Sequence, residues 1–406
     1  MRGTWRGLSL GSSIVAGGLI VAACSGGEKK PAAGAESTAA APTPASAPSM
    51  LVYVSDERGN KITVIDAATD RVAKTIDAGQ RPRGVRLTPD GKTLVVAVSG
   101  SPIGGPGVDE SKLPPPDRSK DGIALVDLAT DSVRRIQGGH DPENFDITPD
   151  GKFIYVSNED AGTATVLDMS DGKSVATVKV GAEPEGVKIT PDGKLIYVSN
   201  EDAGTATVLD MSDGKSVATA KVGAEPEGVK ITPDGKEAWV TSEGKGTVTV
   251  IDVASNKPVA TIKVGKRPRS VIFAPDGSKG YVPAEVGGNV SVVDVTSHKV
   301  LKTLDLTKTT PGAKPMGSAI SPDGKFVYIT TGRGATLEVI ATANDSVVAT
   351  IPDPKRPWGV AVTADGTRIY TANGPSNDIA IIDAATNKVI KTIPAGDSPW
   401  GIAISH

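Results

Sequence analysis

The chain has one cysteine, three histidines and only 3% aromatic residues among its 406 positions. With Cys24 as the single thiol, the folded body can hold no intramolecular disulfide, thiolate metal cluster or cysteine nucleophile. His140, His298 and His406 are scattered, so no histidine cluster of the kind that binds zinc or copper is present. No block of like charge occurs either: 44 Lys plus Arg face 47 Asp plus Glu, a formal charge of -3. That balance argues against nucleic acid as a partner. No G-x-S-x-G elbow appears, and the glycine runs sit in turns rather than between a strand and a helix, which excludes phosphate-loop readings. What the chain does have is 47 Gly and 30 Pro. At 77 of 406 positions this is about 19%, below the roughly 25–30% of low-complexity chains.

The N-terminus explains the lone cysteine. Arg2 and Arg6 precede an apolar run, Ile14 to Ala23, too short to span a bilayer as a helix, and Val21-Ala22-Ala23-Cys24 follows. This arrangement resembles a bacterial lipobox. Residues 1–23 are expected to be a lipoprotein signal peptide, with Cys24 lipidated as the first mature residue and 24–50 a flexible linker rich in Ala, Pro, Ser and Gly. Several acyl chains anchor stably where one does not. Ser25, rather than Asp, follows the cysteine; by resemblance to lipoproteins of diderm bacteria this implies an extracytoplasmic protein at the periplasmic face of the outer membrane or the cell surface, with the membrane touched through the anchor only.

Residues 51–406 repeat a unit of about 42 residues, as in Tyr155 to Ile196. A Pro-Asp-Gly type turn recurs at 89–91, 149–151, 191–193, 233–235, 275–277, 322–324 and, with Ala for Pro, 364–366. A strand ending in VID or a variant closes at Asp66, Asp127, Asp168, Asp210, Asp252, Asp294, Ala341 and Asp383. A lone proline recurs as Pro82, Pro142, Pro184, Pro226, Pro268, Pro315, Pro357 and Pro399. Each unit holds four short β-branched stretches, for example Phe153–Ser157, Thr163–Asp168, Ser174–Val180 and Gly186–Thr190, separated by turn residues. Four antiparallel strands per unit of this length mean a propeller blade. Seven turns against eight prolines mean that Leu51–Val54 lacks its preceding strand and Gly401–Ser405 lacks its following one. The two ends should therefore pair. The expected fold is all-β, a β-propeller of eight four-stranded blades closed by the terminal strands, with seven blades as the alternative.

These units resemble YVTN-family β-propeller repeats over essentially all of 51–406. The run SGSPIGGPGVDESKLPPPDRSKDG and its surroundings resemble propeller proteins associated with pyrroloquinoline quinone-dependent catabolism, a group that usually has seven repeats. The extra unit has a visible source. Ile147–Lys194 and Ile189–Lys236 align without gaps and differ only as Phe153 against Leu195 and Val178 against Ala220, the mark of an internal duplication. The tryptophan docking motifs of quinoprotein dehydrogenases are absent, so the resemblance implies a companion of such an enzyme.

In a propeller the loop leading into the innermost strand and the loop between the second and third strands share one face around the channel. The residue after each landmark proline should ring that mouth: Trp400, Arg83, Glu143, Glu185, Glu227, Arg269, Met316 and Trp358. Three glutamates occupy one arc and Met316 with two tryptophans the opposite one. Glu143, Glu185 and Glu227 are the candidate metal ligands, for calcium. Arg83, Arg269 and the tryptophans suit an anionic or planar ligand. The alternative is loop ends with Arg–Glu pairs between neighbours. Asp56-Glu57, Glu159-Asp160, Glu201-Asp202, Glu243 and Glu285 recur beside Gly or Asn and read first as turn formers. Ser99–Asp121 is long for its place and reads as a semi-rigid arm over the mouth with Asp109, Glu110, Asp117 and Arg118 as polar contacts.

The expected function is a non-catalytic, lipid-anchored propeller, monomeric and without a resident cofactor, that binds a partner protein or small ligand at its channel face. Two enzyme-like alternatives stand beside it: a lactonase-like hydrolase using mouth carboxylates with a divalent cation, and a d1-type haem-handling propeller in which His140 would ligate the iron.

Overall fold

The computed structural model describes residues 50–104, 112–353 and 355–405, without the side chain of Glu143. The proposed signal peptide, Cys24 and nearly all of the linker lie outside the described residues. Eight four-stranded antiparallel sheets form eight blades. Blade 1 is built by Leu51–Asp56, Lys61–Asp66 and Arg71–Ile76, with Pro399–Ile404 as its innermost strand. The innermost strands of blades 2 to 8 are Val85–Leu87, Pro142–Ile147, Pro184–Ile189, Pro226–Ile231, Ile272–Phe273, Ser318–Ile320 and Pro357–Val362. Val52, Tyr53 and Val54 pair with Ile404, Ala403 and Ile402, so the terminal strands do close the ring. Among the described residues no helix is long and apolar enough to cross a membrane.

Local chemistry explains each landmark. In Thr148-Pro149-Asp150-Gly151 the Gly151 N–H donates to the Thr148 carbonyl at 2.8 Å and the Thr148 hydroxyl donates to Asp150 at 2.7 Å. Gly151 takes φ 71°, which a side chain would resist. The strand-ending aspartates cap the following turn: Asp66 accepts from the N–H groups of Ala68 and Thr69.

In blades 1, 3, 4, 5 and 8 the innermost strand begins earlier than expected, at the landmark proline. Pro184 pairs with Asn200, and a bulge before Val187 restores register; blades 3, 5 and 8 do the same. In blades 4, 5 and 8 the bulge holds the residue after the proline and the following glycine, and re-aims that side chain toward the mouth. The glycine is required by the neighbouring blade: a Cβ on Gly317 would lie 2.1 Å from the Trp358 carbonyl oxygen and one on Gly186 2.3 Å from that of Glu227. A hydroxyl in the second strand ties the same carbonyl across the gap, as Ser55 does to Arg83 at 2.8 Å, Ser157 to Glu185 at 2.9 Å and Thr330 to Trp358 at 3.0 Å.

The core consists of eight apolar clusters, one per interface between adjacent blades. Second and third strands are buried on both faces because a blade lies on each side, so they read as continuous apolar runs. The few aromatics have a fixed use. Tyr53, Tyr155, Tyr197, Trp239, Tyr281, Tyr328 and Tyr370 occupy one position in seven blades, each almost fully buried between neighbours.

Candidate channel-mouth site

The mouth divides into two arcs of different chemistry. On the aromatic side a cavity of about 620 Å³ is lined by Trp358, Trp400, Met316, Arg81, Arg83 and Arg356, together with Glu57, Arg58, Asp141, Glu159 and Ser398. The rings of Trp358 and Trp400 lie 4.6 Å apart, tilted by 56°. The Arg83 guanidinium sits 5.2 Å from the centre of the Trp400 ring, and that of Arg356 5.5 Å from Trp358, both within cation–π reach. Gly374 makes room for this stack, since a Cβ there would lie 2.3 Å from the Trp358 ring.

Arg81 and Arg83 are engaged by carboxylates. Arg81 reaches Glu57 at 3.1 Å and Asp141 at 4.0 Å, and Arg83 reaches Glu57 at 3.7 Å. Burial and the neighbouring Arg81 push the Arg83 guanidinium below its ordinary value, against Glu57, Glu185 and Asp141. Arg356 differs. Among the described residues it forms no ion pair, and its Nε is buried without a hydrogen-bond partner, as is the indole N–H of Trp358. A buried unmet donor costs about 1–3 kcal/mol, more when charged.

The arm forms one wall of this cavity through Ser101, Pro102, Ile103, Gly104 and Leu113. Its stems are fixed: Asp121 accepts from the Gly100 N–H at 2.7 Å and the Asp141 N–H at 3.1 Å, and Arg118 contacts Ser101, Asp121 and Asp160. Asp117 caps the short turn at Ser119 and faces solvent. Asp109 and Glu110 lie outside the described residues. His140 does not line the cavity; its ring is exposed, 3.8 Å from Asp121.

The carboxylate arc lies across the ring. Arg269 reaches Glu227 at 3.3 Å and Glu243 at 2.5 Å, while Arg267 reaches Glu243 at 2.5 Å and Glu285 at 3.6 Å. Against the cost of burial, Glu227 and Glu243 hold the Arg269 guanidinium above its ordinary value. The Glu227 carboxyl is nevertheless pushed up, first by burial and then by Glu243 and Glu201 against Arg269. Glu185 is raised well above the carboxylate range by burial and by Glu227, Glu159 and Glu201. Arg–Glu pairs between neighbouring blades are therefore present, and they are shielded: Glu57 and Glu243 are 6% and 8% exposed. Of the acids that recur beside the turns, Glu57, Glu243 and Glu285 are thus arginine partners as well as turn residues.

Calcium takes about six to eight oxygen ligands. Among the described residues no three His, Cys, Asp or Glu groups converge on a metal position, and Glu227 is already committed to Arg269. The described side chains do not make a calcium cage. Glu143 sits in the innermost strand of blade 3 with its side chain outside the described residues.

Sequence reasoning missed the residue before each landmark proline. Arg81, Asp141, Glu183, Glu225, Arg267, Arg356 and Ser398 all take φ between 45° and 61°. That left-handed turn brings Arg81, Asp141, Arg356 and Ser398 into the cavity lining. The signal was available, because this position is charged in six of those seven units.

The fold and this ringed mouth define a β-propeller protein. A YNCE-like beta-propeller family model matches residues 116–278, and a model of the seven-bladed beta-propeller lactonases matches 211–392, each less than half of the chain. Antigen Lp49 of Leptospira interrogans is 30% identical over 113 residues, 26% of this chain; the chain spans 23% of that relative's length. Among solved structures, Kuenenia stuttgartiensis hydrazine synthase is 25% identical with a TM-score of 0.56, covering 75% of this chain and 96% of that one. Dihydro-heme d1 dehydrogenase NirN in complex with DHE is 18% identical with a TM-score of 0.70, covering 87% and 74%. A functionally unknown protein of Desulfotomaculum acetoxidans is 16% identical with a TM-score of 0.55, covering 88% and 99%. The last two likenesses speak to the fold.

Proposed function

We propose that the chain is a non-catalytic, lipid-anchored extracytoplasmic propeller that binds a planar, anionic small molecule at its mouth, on the Trp358–Trp400 side. The observation that carries this reading is Arg356: a half-buried residue whose Nε is buried and unmet, its guanidinium lying over Trp358 in a cavity of about 620 Å³. A ligand with an aromatic plane and a carboxylate would stack on the indoles and supply the missing acceptor. The arm stems are fixed, so the wall they form is in place before a ligand arrives and little ordering is required.

Pyrroloquinoline quinone, a planar tricarboxylate, is the probe for calorimetric titration of the purified protein. The expected result is saturable one-to-one binding, weakened about 30-fold or more by Trp358→Ala, a loss of roughly 2 kcal/mol as for a buried aromatic anchor, and about 10-fold or more by Arg356→Gln. No heat from the quinone, or equal binding by both variants, overturns the reading. A haem absorption band on adding haem, or hydrolysis of a small lactone lost on Glu185→Gln and Glu227→Gln, would put the haem or lactonase function in its place. Anchoring rests on the Val21–Cys24 sequence, and Cys24→Ala should move the protein from the membrane to the soluble fraction; unchanged membrane association counts against it.

A further inference from the structure

Below the mouth, the innermost strands carry a second row of side chains, at the fourth residue after each landmark proline. Around the ring it reads Arg86, Asp146, Lys188 and Lys230 in blades 2 to 5, then Ile272, Ala319, Ala361 and Ala403 in blades 6, 7, 8 and 1. One half is therefore charged and the other apolar. This row is separate from the mouth residues.

Asp146 is the only carboxylate of the row, and it is already shared. It accepts from Lys188 at 2.8 Å and from the Ile189 N–H at 3.0 Å, and lies 3.8 Å from Arg86. Despite burial, Arg86 and Lys188 hold it below the usual carboxylate range. Lys230 is left over. Among the described residues it has no ion-pair or hydrogen-bond partner, although protein surrounds it and leaves it half-buried. Burial, Arg86 and Lys188 push its ammonium down to about 8, with Asp146 alone opposing them. Three cations against one carboxylate leave two positive charges in an enclosed space. A cavity of about 420 Å³ is lined by Arg86 and Asp146 beside Leu87, Ile402 and Ala403, so the Arg86–Asp146 end of the row is open to small solutes.

Enclosed charge of one sign, walled by apolar surface, concentrates counter-ions of the other sign. Lysine serves as a point charge for tetrahedral oxyanions and arginine as a fork. We propose that Arg86, Lys188 and Lys230 form a channel site for a doubly charged oxyanion of the phosphate class, with Lys230 as the residue that the anion completes. The two surplus charges match a dianion, and the apolar half of the row leaves no competing acceptor on the other side.

Thermal unfolding and calorimetry of the full protein with inorganic phosphate test this, using sodium chloride at equal ionic strength as the control and sulfate as the second oxyanion. Phosphate is expected to raise the unfolding midpoint in a saturable way, and Lys230→Met to lower its affinity at least about 10-fold. Without phosphate, the same variant should melt no lower than the parent, because it removes an unpaired enclosed charge. Lys173→Met, at an exposed turn, should leave phosphate binding unchanged. The Lys230 ammonium, followed by NMR in the unaltered protein, should titrate near pH 8 alone and higher with phosphate. Sulfate acting equally well makes the site one for dianionic oxyanions in general. A phosphate effect no larger than that of chloride, or one retained in Lys230→Met, overturns the proposal.

Discussion

A chain ended at Ala395 is expected to lose its cooperative unfolding transition and to elute from a sizing column as aggregate. Ring closure rests on Pro399–Ile404. Removing that strand unpairs the edge Val52–Val54, and with it the Ser405 N–H bond to the Leu51 carbonyl at 2.9 Å and the Glu57 N–H bond to Ser398 at 3.0 Å. It also removes Ile404, which is 9% exposed, from the interface of blades 8 and 1. Gly401, whose Cβ position lies 2.7 Å from the Arg83 carbonyl, would no longer wedge blade 1 against blade 2. An apolar side chain contributes about 1.5–3 kcal/mol and a hydrogen bond about 1 kcal/mol. Several of each approach the roughly 5–15 kcal/mol that hold a whole domain together. The bare edge Leu51–Val54 is apolar and has unpaired backbone groups, which is what invites association. A peptide of residues 396–405 added in trans should restore part of the transition, measured by circular dichroism. An unchanged melting curve for the truncated chain would show that the ring does not depend on this closure.

The closure was legible because it is a matter of counting. Seven Pro-Asp-Gly type turns against eight landmark prolines leave three strands at the N-terminus and one at the C-terminus, which together make one blade. The mouth was legible only in part. The bulge after Pro184, Pro226 and Pro357 aims Glu185, Glu227 and Trp358 as the repeat phase suggests. The residue before the proline was not read, because a left-handed arginine at positions 81, 267 and 356 has no local sequence signature beyond its charge. Partner choice was beyond reach for a different reason. That Arg269 takes both Glu227 and Glu243, while Arg356 forms no ion pair among the described residues, depends on the spacing between blades that no single unit encodes. The row Arg86, Asp146, Lys188, Lys230 lay in plain view at one repeat position; its meaning needs the knowledge that these four strands are neighbours around one axis.

The buried carboxyls give the protein a pH dependence opposite in sign to ordinary acid denaturation. Asp56 and Asp353 are both pushed up to about 7, chiefly by burial, and each has one carboxyl oxygen without a hydrogen-bond partner. In the unfolded chain they ionise near pH 4. Such a raised group contributes stability in full below about pH 4 and loses it as pH rises through its folded value near 7. Each group can cost up to about 4 kcal/mol by pH 8, and the raised Glu185 and Glu227 act in the same direction. The carboxylates held low by turn hydrogen bonds, such as Asp90, Asp127 and Asp168, act below about pH 4 and leave this window alone. The unfolding midpoint should therefore fall between pH 5 and pH 8. Asp56→Asn should flatten the profile and stabilise the protein by about 2–4 kcal/mol at pH 8 while changing little at pH 5. The repeat itself supplies the argument for asparagine, because Asn158 and Asn200 occupy the equivalent position and donate through Nδ2 to Thr165 at 2.9 Å and Thr207 at 3.1 Å. The amide introduced by Asp56→Asn would meet Thr63, which now donates to Asp56 at 2.7 Å, with the roles of donor and acceptor exchanged. A profile that is flat in the parent, or equally steep in the variant, would mean that the Asp56 carboxyl is ionised and solvated in the folded ring, its charge reached by water past Gly396 at the blade 8 to blade 1 junction.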